Sequence, residues 1–454
     1  MKKSLFALSL AFFLGTLNNA VAQIWDIRDA DFPNPVFSSE PKSANDSVAW
    51  VFGFALDSQG YFTYTDYSFS RTTDGGQTWV NGNFPHGEPG YFGNIAPLGD
   101  QVAWLAYEDY AGGSKVLKTV DGGQTWETQN VGITTWVNFV HFFNSAVGVA
   151  MGDPDATGFQ IFKTLDGGNN WERIAAANVP AREPGEYGYS AGFEAEGNCI
   201  WFYTNHGRVY YSDDLGSTWG VWGNPGLVTI WDIEADEAGN CYVMFNDFSD
   251  TVTFVRQFYL FRRSTLDSAW IDLTPPDNDL VLQSIASVPG TEVLMATFRN
   301  NFTLGPFYTR LSYDQGASWQ TISTGDRAGY LNFWDANTGY ATEMKIASEA
   351  DPTKLFRYTG SPITGLFERK PLDIHLTVSP NPASDFVKIV WSAPTPDDFW
   401  MLLNDAQGRL IDRKTIEKTL QGNARFDLRG LPTGVYSLTV SSAKGYLTKK
   451  FVKQ

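Results

Sequence analysis

Hydrophobic and polar positions alternate along most of the chain with the two-residue period of β-strands. From residue 137 to 176, the apolar runs VNFVHFF, GVAMG, FQIFKT and WERIAA are separated by turn residues such as Gly, Asn and Asp. Alternation over a short run predicts a strand with one face on a core, and the intervening turn residues predict reversals of the chain. The pattern therefore predicts an all-β protein made of four-stranded antiparallel units.

A repeated phrase punctuates these units. It reads TTDGGQTW at 72–79 and returns as TVDGGQTW, TLDGGNNW, SDDLGSTW and SYDQGASW, with a worn copy, STLDSAW, that ends at Trp270. The tryptophans that end the copies are spaced by 45 to 51 residues. A period of this size with strand-like sequence between the copies is typical of radial β-repeats.

The chemistry of the phrase suits a tight turn. A short Asp side chain accepts hydrogen bonds from turn N–H groups, the Gly two residues later permits a positive φ, and the Trp opens the next strand and fills space beside a neighbouring repeat. We interpret the phrase as turn-stabilising, with a catalytic role of its carboxylates as the alternative. The residues in the five well-kept copies are Asp74, Gly76, Trp79, Asp121, Gly123, Trp126, Asp166, Gly168, Trp171, Asp214, Gly216, Trp219, Asp314, Gly316 and Trp319.

The phrase resembles the Asp-box, or BNR, repeat of sialidase-like, sortilin-like and photosystem-assembly-factor-like β-propellers. The resemblance covers most of the chain. It implies that each box joins the third and fourth strands of a blade, on the face away from the ligand site. It implies a fold and leaves the activity open, because one fold hosts many functions.

The last repeat lacks the strand that should follow its third strand. The segment QIWDIR at 23–28 resembles the strands after the boxes, with Trp25 in the place of the box tryptophan. We expect this segment to pair with the strand near Leu355 to Tyr358 and so to remove an open sheet edge. The resulting prediction is a seven-bladed β-propeller with four-stranded antiparallel blades over residues 23–365.

The first 22 residues predict a secretory signal peptide. Lys2 and Lys3 precede an apolar run, and the segment ends in Ala20-Val21-Ala22. This order is that of a signal with an A-x-A cleavage site, and the apolar run is too short for a membrane span. We expect no transmembrane segment in the mature chain.

The composition changes after residue 365, where a predicted linker at 366–373 leads to a small Ig-like β-sandwich at 374–454. It contains Ser379-Pro380-Asn381-Pro382, the segment LPTGVY at 431–436 and a terminal Lys449-Lys450-Phe451-Val452. These motifs resemble the C-terminal sorting domain of the bacterial type IX secretion system. This resemblance implies the type IX machinery as a partner, and a product secreted or held at the outer-membrane surface of a Gram-negative bacterium after passage through the periplasm. An accessory binding sandwich is the alternative. The motif residues are Pro380, Asn381, Pro382, Gly434, Tyr436, Lys449 and Lys450, with a further motif at 405–408.

The charge of the chain argues against nucleic acid as a partner. The net charge is −17; residues 374–454 hold 11 Lys and Arg against 7 Asp and Glu, or +4, so residues 1–373 carry −21. Phosphate binding needs clustered Lys and Arg, which an acidic propeller does not supply.

Long loops at the face opposite the boxes are rich in Tyr, Phe and carboxylates. Aromatic faces stack on sugars or peptides, and carboxylates accept hydrogen bonds from hydroxyl or basic groups. The candidate ligand-binding residues are Tyr91, Tyr107, Tyr110, Tyr187, Arg182 and Arg299, and the candidate catalytic residues are Glu88, Asp153 and Glu183.

Three functions fit these loops. The first is a non-enzymatic propeller that binds a glycan or protein, the second is a glycoside hydrolase that uses two carboxylates, and the third is a structural surface protein. A sialidase is disfavoured because its early Arg-Ile-Pro motif is absent and arginine is sparse in the loops. The EPG segments at 88–90 and 183–185 are explained more simply by tight turns.

We expect no cofactor and no metal site, with calcium at Asp153-x-Asp155-x-x-Gly158 as the alternative to a plain surface turn. Cys199 and Cys241 occupy equivalent positions in adjacent repeats. Equivalent strands of neighbouring blades usually lie beyond the reach of a disulfide, so we expect two thiols; a disulfide is the alternative for an exported protein.

Overall fold

The computed structural model describes residues 24–454 except 31, 33–35, 57–61, 85–89, 111–112, 248–256, 266, 268, 276–279, 301–304, 345–352, 364–373, 405–409 and 443–444. The predicted signal peptide, the predicted linker, the motif at 405–408 and Glu88 therefore lie outside the described residues.

The chain divides into two compact units. One holds residues up to 237 with 243–260 and 273–364, and the other holds residues 365–454 with 238–242 and 261–272.

The regular structure is β, apart from one turn of 3₁₀-helix at Ala176–Asn178. The first fourteen strands are β1 (Trp25–Asp29), β2 (Val36–Ser38), β3 (Lys42–Ser43), β4 (Ala49–Leu56), β5 (Phe62–Thr72), β6 (Val80–Asn83), β7 (Gly90–Pro97), β8 (Ala103–Asp109), β9 (Gly113–Thr119), β10 (Glu127–Gln129), β11 (Val137–Phe142), β12 (Gly148–Asp155), β13 (Gly158–Thr164) and β14 (Glu172–Arg173). The next fifteen are β15 (Gly188–Glu196), β16 (Cys199–Thr204), β17 (Val209–Ser212), β18 (Gly220–Trp222), β19 (Thr229–Ala235), β20 (Asn240–Asp247), β21 (Gln257–Ser264), β22 (Ile271–Asp272), β23 (Leu280–Ser287), β24 (Leu294–Asn300), β25 (Phe307–Ser312), β26 (Gln320–Thr324), β27 (Ala328–Phe333), β28 (Gly339–Glu343) and β29 (Lys354–Tyr358).

These strands form seven sheets in the described part of the chain before residue 364. The first sheet has the order β2-β4-β5-β6, with β3 also paired to β4; the next five are β7 to β10, β11 to β14, β15 to β18, β19 to β22 and β23 to β26; the seventh is β27-β28-β29-β1. Neighbouring strands are antiparallel hairpin partners, as in the third sheet. The repeated four-stranded unit is the one expected from the sequence, and the architecture is that of a β-propeller. The count of seven blades stays a prediction.

The seventh sheet is completed by the N-terminal strand. β1 pairs antiparallel with β29 from Trp25 opposite Tyr358 to Asp29 opposite Lys354, which confirms the predicted pairing. Trp25 is fully buried, and its indole Nε1 donates to Thr309 Oγ1 of the sixth sheet at 3.2 Å. The strand therefore contributes both a ladder of backbone hydrogen bonds and a large aromatic side chain to the last part of the propeller.

Hydrophobic cores lie between successive sheets. Phe52 and Phe69 of the first sheet share a core with Phe92 and Leu105 of the second, and the same arrangement joins the third sheet to the fourth. The box tryptophans contribute to these cores: Trp126, for example, packs against Phe69 at a ring-centroid distance of 6.3 Å. Each sheet thus buries its apolar face against a neighbour.

The C-terminal unit is built on five strands: β30 (His375–Ser379), β31 (Phe386–Asn404), β32 (Leu410–Asp427), β33 (Gly434–Ser442) and β34 (Gly445–Lys453). The first half of β31 pairs with β30, its second half pairs with β33, and β32 runs beside both halves. Side chains from both halves, such as Val387 and Leu403, enter one hydrophobic core. The described strands are connected as one sheet, and the Ig-like sandwich stays a prediction.

The described residues contain no helix that is both long enough and apolar enough to cross a membrane.

Cys199 and Cys241 are thiols and are not joined by a disulfide, as expected from the sequence. Cys241 is buried and Cys199 is half-buried.

Trp25→Ala is expected to lower the free energy of unfolding by about 3–5 kcal/mol, because it leaves a large cavity beside the sixth sheet. The matched control is Ile27→Ala on the same strand, where the side chain is 44% exposed. We expect the control to stay within about 0.5 kcal/mol of the parent protein. Denaturant unfolding of the mature chain checks both values, and equal stability of the two variants would contradict the proposed role of β1.

Candidate functional site

The boxes form one type of hydrogen-bonded turn between the third and fourth strands of a sheet. In the first copy, Thr72 Oγ1 donates to Asp74 Oδ1 at 2.9 Å and accepts from Gly76 N at 2.8 Å. Asp74 also accepts from the backbone N–H of Thr78 at 2.9 Å and from the Thr78 hydroxyl at 2.6 Å. The carboxylate is therefore satisfied from within its own turn.

The same network recurs in the other four well-kept copies. In each, a hydroxyl before the Asp bonds to the carboxylate and to the Gly N–H, and the residue before the Trp donates from backbone and side chain. The equivalent groups are Thr119, Asp121, Gly123 and Thr125; Thr164, Asp166, Gly168 and Asn170; Ser212, Asp214, Gly216 and Thr218; Ser312, Asp314, Gly316 and Ser318. In the worn copy, Asp267 accepts from the N–H and the hydroxyl of Ser264.

These bonds favour the charged form of the box carboxylates. Although burial opposes the charge, hydrogen bonds from Thr78 and Thr72 lower the pKa of Asp74 to about 2. The Thr125 hydroxyl is the main cause for Asp121, whose pKa is also lowered to about 2. A carboxylate held in this way is a poor proton donor at neutral pH, which supports the turn-stabilising interpretation.

The box glycines are required by both conformation and space. Gly123 has a φ of +88°, and a Cβ there would lie 2.3 Å from Phe69 Cζ in the first sheet. Gly216 has a φ of +78°, and its Cβ would lie 2.5 Å from Val149 Cγ2 in the third sheet. A side chain at either position would strain the turn and separate two sheets.

At the other end of the sheets, an aromatic cluster is centred on Trp136. The ring centroids of Tyr91 and Tyr110 lie 5.7 Å and 6.3 Å from that of Trp136, and the indole Nε1 donates to Ser190 Oγ at 2.7 Å. Tyr110 is 54% exposed, and Tyr91 and Trp136 are half-buried. The sequence predicted Tyr91 and Tyr110 but missed Trp136, which stands directly before β11.

Asp153 lies beside this Trp136 cluster. Its backbone N–H donates to the carbonyl of Trp136 at 2.8 Å. Its Oδ1 accepts from Asn138 Nδ2 at 2.8 Å and from Gly188 N at 3.1 Å. Burial raises the pKa of this carboxyl, because those two hydrogen bonds only partly offset the loss of water.

Glu183 belongs to a tight turn. Glu186 N donates to Glu183 O at 3.1 Å, and Gly185 between them has a φ of +77°, as expected for the EPG segment. The side chain of Glu183 lies 2.9 Å from His206 Nδ1, and this hydrogen bond is the main cause that lowers the pKa of Glu183. Glu186 is buried and accepts from Arg208 Nη1 at 2.9 Å.

The remaining predicted ligand residues are distributed differently. The prediction that Tyr107 binds a ligand is wrong. Its side chain is only 3% exposed and packs on Phe92 in the core, so it does not reach the loop face. Tyr187 is exposed and lies 5.9 Å from Tyr189 between ring centroids. Arg182 donates to the carbonyl of Glu183, and Arg299 is half-buried on β24.

Two further loop carboxylates are held in ion pairs. Asp155 accepts from both terminal nitrogens of Arg173, at 2.6 Å and 3.0 Å, and Asp109 is paired with Lys115. The described residues contain no group of three or more His, Cys, Asp or Glu side chains placed to hold a metal ion. The calcium alternative at Asp153 and Asp155 therefore receives no support from the described side chains.

The sequence also missed a cavity of about 490 Å³ that is lined by residues from the inner strands of all seven sheets. We call it the central cavity. Its wall carries the ionisable side chains Lys42, His141, Glu194, Glu196, Glu234 and Glu237. No local motif marks these residues, because all but Glu237 lie in ordinary strand segments and Glu237 lies in the turn after β19.

The sorting motifs meet at the end of the C-terminal unit. Asn381 Oδ1 accepts from the backbone N–H of Val452 at 3.0 Å, beside Pro380 and Pro382. Tyr436 donates its hydroxyl to the carbonyl of Pro432 at 2.8 Å and stacks on Phe451. Gly434 pairs with Lys453 in the ladder between β33 and β34. Lys449 and Lys450 are exposed on β34.

Comparisons with known families match both parts of the chain. Residues 377–454 match the family described as a secretion system C-terminal sorting domain. Residues 110–253 match the family described as photosynthesis system II assembly factor YCF48. These matches agree with the resemblances drawn from the motifs, and the first indicates export from a bacterial cell by type IX secretion.

Solved structures give the same picture of the fold. YCF48 from Cyanidioschyzon merolae is 14% identical, with a TM-score of 0.50 over 73% of this chain and 98% of that one. YCF48 bound to D1 peptide is 15% identical, with a TM-score of 0.49 over 76% and 97% of the two chains. A PL25 ulvan lyase is 12% identical, with a TM-score of 0.48 over 73% and 96%. The search of curated proteins returned no match. At these identities the similarity extends to the fold alone.

Asp74→Asn removes the charged acceptor of the box turn and is therefore expected to lower the free energy of unfolding above about pH 4. The loss is limited to about 1 kcal/mol, because solvent screens a carboxylate that is largely exposed. Since the folded pKa of Asp74 is lowered to about 2, its stabilisation is present above the unfolded value near 3.8 and is lost as the pH falls between them. The difference between variant and parent should therefore shrink from pH 5 to pH 2. Glu127→Gln at an exposed position of β10 is the control. Denaturant unfolding at each pH measures the difference, and a constant difference would contradict this account.

Proposed function

We propose that the protein is a secreted or surface-displayed β-propeller, without catalytic activity, that binds a glycan or a protein through the loop end of its sheets. Export is supported by the match of residues 377–454 to the sorting-domain family. A final position in the medium or at the outer-membrane surface of a Gram-negative bacterium is part of the proposal. Binding is supported above all by the aromatic cluster around Trp136.

The Trp136 cluster has the chemistry of a binding surface for sugars or peptides. Its rings offer apolar faces in a partly exposed position, and the indole N–H of Trp136 is already fixed by Ser190. Aromatic side chains of this kind supply much contact area at a small entropic cost. Both hydrogen bonds to the Asp153 side chain reach Oδ1 within the described residues, so Oδ2 remains available to a ligand hydroxyl or amine.

The charge partners of the other loop carboxylates favour binding over catalysis. Asp109, Asp155 and Glu186 are each paired with a Lys or Arg side chain. A general acid needs a raised pKa and a base needs freedom to take a proton. Carboxylates held by cations in the folded protein serve neither role well.

A glycoside hydrolase is the second candidate, and Asp153 is the observation that favours it. Its pKa is raised by burial, as a general acid requires. The described partner carboxylate, Glu183, has a lowered pKa because of His206, which weakens it as a base. Glu88 lies outside the described residues. A structural surface protein is the third candidate.

Trp136→Ala is expected to weaken retention on a glycan or protein ligand by about tenfold or more, because the central aromatic anchor of the surface is lost. Retention and reducing-sugar release are measured together on a panel of polysaccharides, sialosides and surface proteins. The control is Tyr313→Ala, an aromatic residue that is 39% exposed in a box turn at the opposite end of the sheets.

Each outcome of this experiment separates the candidates. Retention that Trp136→Ala leaves unchanged would contradict the binding surface. Sugar release that is abolished by Asp153→Asn would replace the binding proposal with the hydrolase. If the panel shows neither retention nor turnover, both the binding proposal and the hydrolase fail, and the structural surface protein is favoured.

Deletion of residues 374–454 is expected to leave a folded propeller in the periplasm of the native host. The physical reason is that the C-terminal unit has its own hydrophobic core, separate from the cores between the propeller sheets. Cell fractionation and protease resistance of the retained protein are the measurements. Normal secretion of the truncated chain would refute the sorting assignment.

A further inference from the structure

Two acidic residues bracket the peptide bond that follows Trp136. Glu108 Oε2 accepts from the backbone N–H of Val137 at 3.4 Å, and the Trp136 carbonyl accepts from the backbone N–H of Asp153 at 2.8 Å. The N–H and C=O groups of a trans peptide point to opposite sides of the chain. Glu108 on β8 and Asp153 on β12 therefore lie on the two sides of the Trp136 backbone.

Neither carboxylate has a cationic partner among the described residues. The second donor to Glu108 is the Ser114 hydroxyl, which reaches the same Oε2. The donors to the Asp153 side chain are Asn138 Nδ2 and Gly188 N, and both reach Oδ1. Both acidic side chains are half-buried, and each has one oxygen outside these bonds.

The cations next to these two residues are already neutralised within the chain. Lys115 pairs with Asp109, and Arg173 pairs with Asp155. Both pairs lie one or two positions along the chain from the carboxylates at Trp136. The site around Trp136 thus keeps two acidic groups for which the described residues supply no positive charge.

The buried Asn138 fixes the direction of the Asp153 carboxylate. Asn138 is 1% exposed, and its Oδ1 has no partner among the described residues while its Nδ2 donates to Asp153. A buried amide with one unpaired polar atom carries a free-energy cost. Gly188 permits the close approach, because a Cβ there would lie 3.0 Å from Asn138 Nδ2. The arrangement holds Oδ1 from the protein side and leaves Oδ2 for a ligand.

The indole of Trp136 and the Asp153 carboxylate are tied to the same stretch of β15. Ser190 Oγ accepts from the indole Nε1 at 2.7 Å, and Gly188 N donates to Asp153 Oδ1 at 3.1 Å. Residues two apart in an extended strand are about 6.5 Å apart. One planar cation on a ligand can therefore contact the aromatic ring and the carboxylate together.

We propose that the Trp136 cluster recognises the guanidinium group of an arginine side chain on a protein ligand, with Glu108 and Asp153 as its acceptors. This inference rests on the proposed function and names the ligand class for the same site. A guanidinium has a flat face that stacks on aromatic rings and N–H donors in its plane that reach carboxylates. It is more weakly hydrated than an ammonium group, so a half-buried site favours arginine over lysine.

The propeller uses both parts of this chemistry internally. The guanidinium of Arg71 lies 5.2 Å from the ring centroid of Trp50, and that of Arg173 donates to both oxygens of Asp155. The charge of the chain also favours a basic ligand, since residues 1–373 carry a net charge of −21. An anionic glycan would meet the same field with the opposite sign.

The test is calorimetric titration of the mature full-length protein with the blocked tripeptide acetyl-Gly-Arg-Gly-amide. The same peptide with citrulline in place of arginine keeps the shape and loses the charge, and we expect it to bind about tenfold more weakly. The lysine peptide keeps the charge without the planar group and should bind about threefold more weakly.

Variants locate the preference for arginine at the two acidic residues. Asp153→Asn keeps the shape of the side chain, and it should reduce the preference for arginine over citrulline to about threefold or less. Glu108→Gln tests the other side of Trp136 and carries the test if Asp153→Asn does not fold. Glu127→Gln, exposed on the outer strand β10, is the matched control and should keep the full preference.

The outcomes separate this inference from the proposed function. Equal binding of the arginine and citrulline peptides, or a preference that Asp153→Asn and Glu108→Gln both leave unchanged, would overturn the guanidinium site. Absence of peptide binding together with Trp136-dependent retention of a glycan would also overturn it, while the proposed function would stand. Absence of any binding, to peptides or to the panel of glycans and surface proteins, would overturn both. Retention of a surface protein that disappears when its arginines are blocked with 1,2-cyclohexanedione would support the site.

Discussion

The pairing of β1 with β29 is the constraint on which the propeller unit depends. Without it the seventh sheet would end at β29, with a row of unpaired backbone groups and an open core beside the sixth sheet. The register from Trp25 to Asp29 satisfies that edge, and the indole of Trp25 crosses to Thr309. One short strand therefore joins the beginning of the described chain to its last propeller sheet through both hydrogen bonds and packing.

The two ends of the sheets have different physical roles. At the box end, each well-kept turn satisfies its own carboxylate and positions its glycine against the neighbouring sheet, as Gly123 does against Phe69. This end is fixed by local chemistry and leaves little for a ligand. At the loop end, Trp136, Tyr91 and Tyr110 stand partly exposed next to Asp153, so the groups that are suited to recognition collect there.

Between the two ends, the inner strands enclose charges that the box turns cannot satisfy. Glu40 and Glu194 hold Lys42, but Asp232 and Glu234 rely on backbone donors. Buried carboxylates of this kind lower stability unless a cation accompanies them. Of the two, Glu234 lines the central cavity, where its carboxylate accepts from the backbone N–H of Ser287. The C-terminal unit keeps a core of its own, with Asn381 tied to the final strand, and needs none of these groups.

The amino-acid sequence by itself determined everything that depends on neighbours along the chain. The box turn from Thr72 to Trp79 and the EPG turn at Glu183 are local, because their hydrogen bonds join residues within a few positions of one another. Strand alternation and the sorting motifs are likewise readable as short patterns along the chain, although Asn381 finds its partner in the distant Val452. The pairing of β1 with the last propeller sheet was also predictable from the sequence, because the sequence of β1 resembles the strands that follow the boxes. Tertiary structure alone decided which face of β8 is inward, and so buried Tyr107 in the core. It also brought Lys42, His141, Glu194 and Glu234 to one cavity. These side chains come from four different sheets, and nothing in the alternation of a single strand records which neighbours the other sheets will supply.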